Sequence, residues 1–270
     1  MIDAHFHIWQ LARGDYGWLT PAMGRIHRDV SLDDWRRESR PLGVTGGVVV
    51  QAAPTEAETH FLLAQAGTAP DVLGVVGWAD LLAADAPHRI AALAAHPKLK
   101  ALRPMLQDIA DSDWILQPHL QPAFQAMLEC DLAFDALIKP VHLPRILALA
   151  QRYPSLRVVV DHGAKPDIAH GQWQDWADGM ARLALGPLVF CKLSGLWTEA
   201  SPGAPLDTLT RYIHHILDCF GADRVMWGSD WPVLERAGQY ADWHACVMAH
   251  LTPDQYADVT DTTARRVYRL

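Results

Sequence analysis

LRVVVDHGAKP, residues 156–166, is apolar through Val158–Val160 and turns polar at once in Asp161 and His162. A strand with one wet face alternates apolar and polar positions, whereas a parallel strand covered on both faces is apolar nearly throughout. The run therefore reads as a buried parallel strand with polar residues at its carboxyl end. The same design recurs in IDAHFHIW (2–9), VTGGVVVQA (44–52), VLGVVGWADL (72–81), LKALRPML (99–106), LAFDALIK (132–139), LVFCKLSGL (188–196) and RVMWGSDWPV (224–233). Between these eight runs lie helical segments, such as TEAETHFLLAQAGT (55–68), where Thr55 precedes acidic residues as a capped start should. LDTLTRYIHHILDCFG (206–221) stops at Gly221, and a closing helical stretch follows over 252–270.

Strands alternating with helices over 270 residues, without a linker or repeat, predict a single-domain (β/α)8 TIM barrel of the α/β class spanning 1–270. An open, doubly wound sheet is the structural alternative. Residues 10–43 break the pattern of short connections. They carry Trp18, Pro21, His27 and Trp35, with SLDDWRRE (31–38) as a helix, and read as a long loop or lid after strand one.

Composition excludes several classes. Half the residues are hydrophobic, so a sizeable core is expected and disorder is not. A net charge of -8 without any basic run argues against nucleic-acid or acidic-membrane partners and leaves a small molecule as the expected one. No stretch has the length of a membrane span or the form of a signal peptide. The four cysteines (Cys130, Cys191, Cys219, Cys246) show no CxxC spacing and read as reduced thiols, so the expected compartment is the cytoplasm. Assembly into a homo-oligomer stays open.

In a barrel, chemistry is built at the carboxyl ends of the strands. Those ends here hold His5 and His7, Trp78, Arg103, Lys139 with His142, Asp161–His162, Lys192 with Ser194, and Ser229–Asp230–Trp231. His5 and His7 are two apart on a strand and so point the same way. Two buried imidazoles side by side need their nitrogens satisfied, by a metal ion, a substrate carbonyl or a carboxylate. Trp173, Trp176 and Trp243 read as helix packing, whereas Trp78, Trp197 and Trp231 follow strand ends and offer flat apolar faces to a pocket, with Trp18 closing over from the lid, although each taken singly is more often core than contact.

The segments DAHFHIW, VVVDHGAKP, CKLSGL and GSDWPV, in that order and spacing, resemble the amidohydrolase superfamily, in its metal-dependent hydrolase subgroup of small-molecule lactonases. The resemblance covers the whole chain. It maps the family's HxH to His5 and His7, its strand-six histidine to His162 and its strand-eight aspartate to Asp230. It implies opening of the lactone ring of a small sugar acid, such as an L-fucono- or L-rhamnonolactone. In that reading Asp230 is the base that activates water, and His5, His7 and His162 polarise the carbonyl directly or through a bound metal. Arg103, His142, Lys192, Trp78 and Trp231 would contact substrate. Binuclear relatives use a bridging carboxylated lysine or a glutamate after strand four, where this chain has LRPML. At most one divalent metal is therefore expected, Zn²⁺ on His5, His7, His162 and Asp230, and metal-independent hydrolysis is also open. A metal-dependent decarboxylase of small aromatic or muconate-type acids shares the barrel and the HxH and is the alternative, although such relatives tend towards HGGG-like and SDYP-like segments. A degenerate, non-enzymatic barrel is disfavoured because no mouth residue is missing.

Overall fold

Each of the eight apolar runs forms a strand in the computed structural model, which describes residues 1–270. In chain order the elements are β1 (Ile2–Phe6), α1 (Leu32–Ser39), β2 (Gly46–Val50), α2 (Glu56–Thr68), β3 (Val72–Gly77), α3 (Ala86–Ala94), β4 (Leu99–Leu102), α4 (Gln121–Glu129) and β5 (Ala133–Ala136). They continue with α5 (Leu143–Arg152), β6 (Val158–Val160), α6 (Gln174–Leu183), β7 (Val189–Leu193), α7 (Thr210–Phe220), β8 (Val225–Trp227), α8 (Tyr240–Ala249), α9 (Pro253–Ala257) and α10 (Thr263–Tyr268). Every strand pairs in parallel with its sequence neighbour, in the order β1 to β8. Beyond the strand ends Phe6 bridges Trp231, His7 N–H donates to Trp231 O at 2.8 Å and Asp230 N–H to His5 O at 2.8 Å, which brings the last strand back to the first. No strand order reverses, so the architecture is the (β/α)8 barrel and not a doubly wound sheet.

The barrel interior is layered. Ile2, Ala4, Val48, Val50, Val76, Ala101, Val159 and Met226 form an apolar floor, sealed from below by Val267 and Tyr268 of α10. Above it sits a fully buried polar layer of Asp135, Asp161, Lys192 and Arg103, and above that the histidines. A bulge in β1 serves this stacking. Asp3 pairs with Gly47 but Phe6 pairs with Val49, so β1 carries one extra residue, and both Ala4 and His5 reach the interior. Phe6 faces outward and stacks on Trp35 of α1, ring centroids 4.0 Å apart.

Residues 10–43 divide into two parts. Trp9 and Val30 pair in antiparallel fashion at the base of a strap over 10–30, and α1 follows in the position of the first barrel helix. Ser31 and Asp34 close a capping box at its start. Trp176 and Trp243 are buried among the helices, with Trp173 packed on Trp176. No helix is long and apolar enough to cross a membrane.

Asp3 ties β1 to its surroundings. Its carboxylate, fully buried, accepts hydrogen bonds from Ser229 N–H (2.8 Å), Ser229 Oγ (2.7 Å), Tyr240 Oη (2.9 Å), Trp35 Nε1 (3.0 Å) and His5 N–H (3.2 Å). Burial raises its pKa and the Ser229 hydrogen bonds oppose that rise. Asp3→Asn turns an amide N–H₂ towards buried donors such as Tyr240 Oη and Trp35 Nε1. The expected cost is about 2–3 kcal/mol, read as a lower urea midpoint at unchanged m-value.

Candidate active site

Asp230 stands at the centre of the barrel mouth, directly after β8. Its backbone is left-handed, φ +57°, a conformation an aspartate adopts at a cost of about 1 kcal/mol or more. That turn aims its carboxylate at the histidines. Oδ1 lies 3.2 Å from His7 Nε2, 3.6 Å from His5 Nε2 and 3.8 Å from His162 Nε2. His5 Nε2 and His7 Nε2 are 3.3 Å apart. Oδ2 has no partner within the protein. His162 is reached by a second left-handed stretch, in which His162, Gly163, Ala164 and Lys165 all have φ between +49° and +62°. Four of the six non-glycine residues with positive φ (His162, Ala164, Lys165, Asp230) thus lie at this mouth. The structure brings the three histidines and the aspartate together: His7, His162 and Asp230 line the cavity, and His5 lies fully buried behind them.

These donors fit a single divalent cation. His7 Nδ1–H donates to Val50 O at 2.7 Å, which leaves Nε2 bare and facing a carboxylate oxygen. Lone pairs that face one another at this range call for a proton or a metal between them. Around Zn²⁺ with bonds of about 2.0–2.1 Å, tetrahedral ligand atoms lie about 3.3–3.4 Å apart. The separations of 3.2–3.8 Å found here approach that spacing before any ion contracts them. Burial pushes His162 down to about 4 against the pull of Asp230 and Asp161, so its ring is neutral at neutral pH, as a ligand must be. Burial lowers His5 too, with Lys192 adding to the effect and Asp161 opposing it. For Asp230 burial acts to raise the pKa, but the imidazoles of His162, His7 and His5, which become cations in acid, outweigh it and hold the carboxyl below its usual range. His5, Asp161 and His162 form a second grouping of possible ligand atoms, which shares His5 with the set of His5, His7 and Asp230.

The other residues expected to touch substrate divide. Arg103 lines the cavity, with Nη1 3.1 Å from Asp161 Oδ2 and 3.5 Å from His5 Nε2, and with a hydrogen bond from Nη2 to Gln51 O. Lys192 does not reach the cavity. It is 0% exposed and lies beneath His5, 2.6 Å from Asp135 Oδ2 and 3.0 Å from Asp161 Oδ1. Trp231 is also excluded. Its backbone pairs with Phe6, so the side chain turns into the core and its indole N–H donates to Glu235 at 3.0 Å. His142 is drawn away because Pro140 opens a turn that brings its Nδ1 back onto the Lys139 backbone, 3.1 Å from N and 3.2 Å from O. Trp78 lies off the cavity, its backbone held by the Thr59 hydroxyl at 2.7 and 2.8 Å. Trp197 packs on Gly238 and donates to Ala204 O.

The cavity itself measures about 200 Å³ and is walled by Trp18, Met105, Leu137 and Val233, with Gln107, Asp108, Lys165 and Arg236 as polar groups. It is smaller than the range of about 300–1,000 Å³ common for drug-sized ligands and suits one small ring. Lys165 is paired with Glu199 at 3.2 Å, and Arg236 has no ion-pair partner. A groove of about 290 Å³ lined by Leu147, Leu156 and Leu188 lies at the opposite ends of the strands and contains no titratable cluster. Of the walls, sequence reasoning placed Trp18 over the pocket but did not single out Met105, Leu137 and Val233, which lie near the ends of apolar runs and carry no reactive group. It also missed Asp135, hidden inside an apolar run.

The strap is docked at the rim by polar contacts. Trp18 Nε1–H donates to Ala52 O at 2.6 Å, and Asp15 accepts from Arg13 and Thr55, each at 2.8 Å. The loop beneath is held by Glu58, whose Oε2 accepts the N–H groups of Ala52 (2.9 Å) and Ala53 (2.5 Å).

A sequence comparison places residues 2–270 within the amidohydrolase family. The chain is 48% identical over 276 residues to an L-fucono-1,5-lactonase of Burkholderia ambifaria, covering 100% of this chain and 95% of that one. It is 32% identical to an L-fucono-1,5-lactonase of Burkholderia multivorans, covering 100% and 96%. Among solved structures, an amidohydrolase from Burkholderia multivorans with bound zinc superposes with a TM-score of 0.93 at 31% identity, covering 100% of this chain and 99% of that one.

Two outcomes test this geometry. A methyl group at Gly195, where φ is +61°, would lie 2.5 Å from His162 Nδ1, so Gly195→Ala should displace the imidazole. The expected result is zinc binding weakened about 10–100-fold in chelator competition, with unchanged circular dichroism. Burial raises Glu58 to about 7 against the backbone hydrogen bonds of Ala53 and Ala52. The native state then binds a proton that the unfolded state releases near 4.5, so this contribution is present below about pH 4.5 and is lost as pH rises towards 7. The loss is on the order of 3 kcal/mol, measurable as a falling urea midpoint that Glu58→Gln flattens. Family model, relatives and barrel agree: this chain belongs to the amidohydrolase family.

Proposed function

We propose that the protein is a hydrolase that opens the lactone ring of a small sugar acid, with an L-fuconolactone as the first substrate to try. The observation that carries this reading is the single carboxylate faced by three imidazoles at the mouth of a cavity sized for one ring. Full-length likeness to lactonases supports it. Asp230 is ionised at neutral pH, and its free Oδ2 is the atom that takes a proton from water. The resulting hydroxide adds to the lactone carbonyl carbon, the bond from that carbon to the ring oxygen breaks, and Asp230 returns its proton to the departing oxygen. The acid formed then ionises in solvent. His5, His7 and His162 face the carbonyl oxygen where negative charge develops. When a divalent ion is bound, Zn²⁺ being the one that three imidazoles and a carboxylate favour, His5, His7, His162 and Asp230 hold it and it adds Lewis acidity.

Charge supports a neutral ring. A substrate with two carboxylates would need several free cationic forks. Arg103 and Lys165 are already paired, which leaves only Arg236. The apolar wall of Trp18, Met105, Leu137 and Val233 suits a ring face or methyl group. The strap carrying Trp18 serves as a lid that excludes water. Four unpaired cysteines agree with a cytoplasmic setting.

Purified protein given a panel of 1,4- and 1,5-aldonolactones should release acid, followed with a pH indicator. Asp230→Asn should lower kcat about 10²–10⁴-fold with the fold intact. Trp18→Ala should raise KM more than it lowers kcat, because it removes ring contact and leaves the reacting groups in place. Folded protein inert across the panel, or carbon dioxide release from aromatic acids, would overturn the assignment.

A further inference from the structure

The ring of His5 is caught between two complete hydrogen-bond networks that cannot both be satisfied. At Nδ1 stands Lys192 Nζ, 3.3 Å away, and Asp161 Oδ1, 3.4 Å away. At Nε2 stand the bare His7 Nε2 at 3.3 Å, Arg103 Nη1 at 3.5 Å and Asp230 Oδ1 at 3.6 Å. Lysine and arginine only donate, whereas the carboxylates only accept. A neutral imidazole has one N–H and one lone pair, so it can answer one donor and one acceptor, on opposite sides. If Nδ1 carries the proton, it donates to Asp161 Oδ1, and Nε2 accepts from Arg103 or binds a cation. If Nε2 carries it, the N–H points at His7 Nε2, at Asp230 or at a substrate oxygen, and Lys192 donates to Nδ1. Asp161 Oδ1 is buried and ion-paired with Lys192 at 3.0 Å but has no aligned hydrogen bond, so it can still accept one in the first arrangement.

We propose that Lys192 and Asp161 are positioning residues that select the tautomer of His5, converting the mouth between a metal-binding state with a bare Nε2 and a metal-free state in which Nε2–H is a donor to the carbonyl. The ring neither gains nor loses a proton in the exchange. Lys192 suits this role because it is fully enclosed. Asp135 Oδ2 at 2.6 Å and the Tyr268 ring below fix its ammonium in one place, and Tyr268 Oη also donates to Asp135 at 2.7 Å. The same barrel mouth is then furnished for carbonyl polarisation with or without an ion, which a set of three fixed metal ligands would not be.

The inference rests on the reading of this mouth as the lactone-opening site, but its test uses no lactone. Protein labelled with ¹⁵N-histidine is examined by long-range ¹H–¹⁵N NMR, zinc-free and with one equivalent of zinc, with His5 assigned from a His5→Asn sample. The expected result is an Nε2–H ring in the zinc-free protein and an Nδ1–H ring when zinc is bound. Lys192→Met removes the donor at Nδ1 and should give the Nδ1–H form in both samples, with zinc held about 10–100-fold more tightly in chelator competition. The same His5 tautomer in zinc-free and zinc-bound wild-type protein overturns the proposal, as does failure of the wild type to bind zinc. The wild-type pair of spectra decides the matter even if the variant does not fold. A lactone panel without turnover, beside a tautomer that switches, removes the assigned reaction and leaves the switch standing.

Discussion

Two carboxylates and two cations share the closed interior of this barrel, and the site above depends on their neutrality. Asp135, Lys192, Asp161 and Arg103 form a chain of ion pairs, each member almost or fully excluded from solvent. Removing one partner from such a buried set typically costs about 3–5 kcal/mol, because the remaining charge has no water to turn to. Burial would raise Asp161, but Lys192, His5 and Arg103 hold it ionised. An ionised Asp161 keeps Arg103 and Lys192 in place, and those two residues frame His5. The layer therefore gives less to stability than to geometry: it fixes the direction from which the first histidine is approached.

Strain is concentrated where this geometry must be met. The left-handed run from His162 to Lys165 and the left-handed Asp230 sit on the two loops that carry a histidine and the carboxylate. These left-handed turns carry the two side chains towards the barrel axis. Gly195 completes the arrangement by having no side chain where the His162 ring passes. The fixed contacts of Asp3, which join β1 to Ser229, offset part of this cost by holding β8 against β1 just before Asp230.

The barrel was legible in the sequence because both faces of its strands are covered, and coverage leaves an unbroken apolar signature. His5, His7, His162 and Asp230 were legible because they terminate such runs. Lys192 reads as closing a run as well, and there position alone misled: it lies inside β7, in register with Met226 of the apolar floor, so its side chain ends in the layer beneath the cavity. Trp231 and His142 failed for a related reason. Each follows a strand, but a left-handed residue before one and a proline before the other redirect the chain. Of the cavity walls only Trp18 was legible, from the long segment after the first strand; Met105 and Arg236 belong to loops brought together by closure of the barrel.

Those walls and the ionic layer occupy different parts of the chain. The residues that would polarise and attack are rooted in or directly after strands, whereas Trp18, Met105, Gln107, Val233 and Arg236 hang from connections that can lengthen or change without disturbing a strand. Descent with modification can therefore reshape which ring is accepted while the reactive groups stay untouched. A lineage of such barrels would diversify at its rim and remain uniform at its axis.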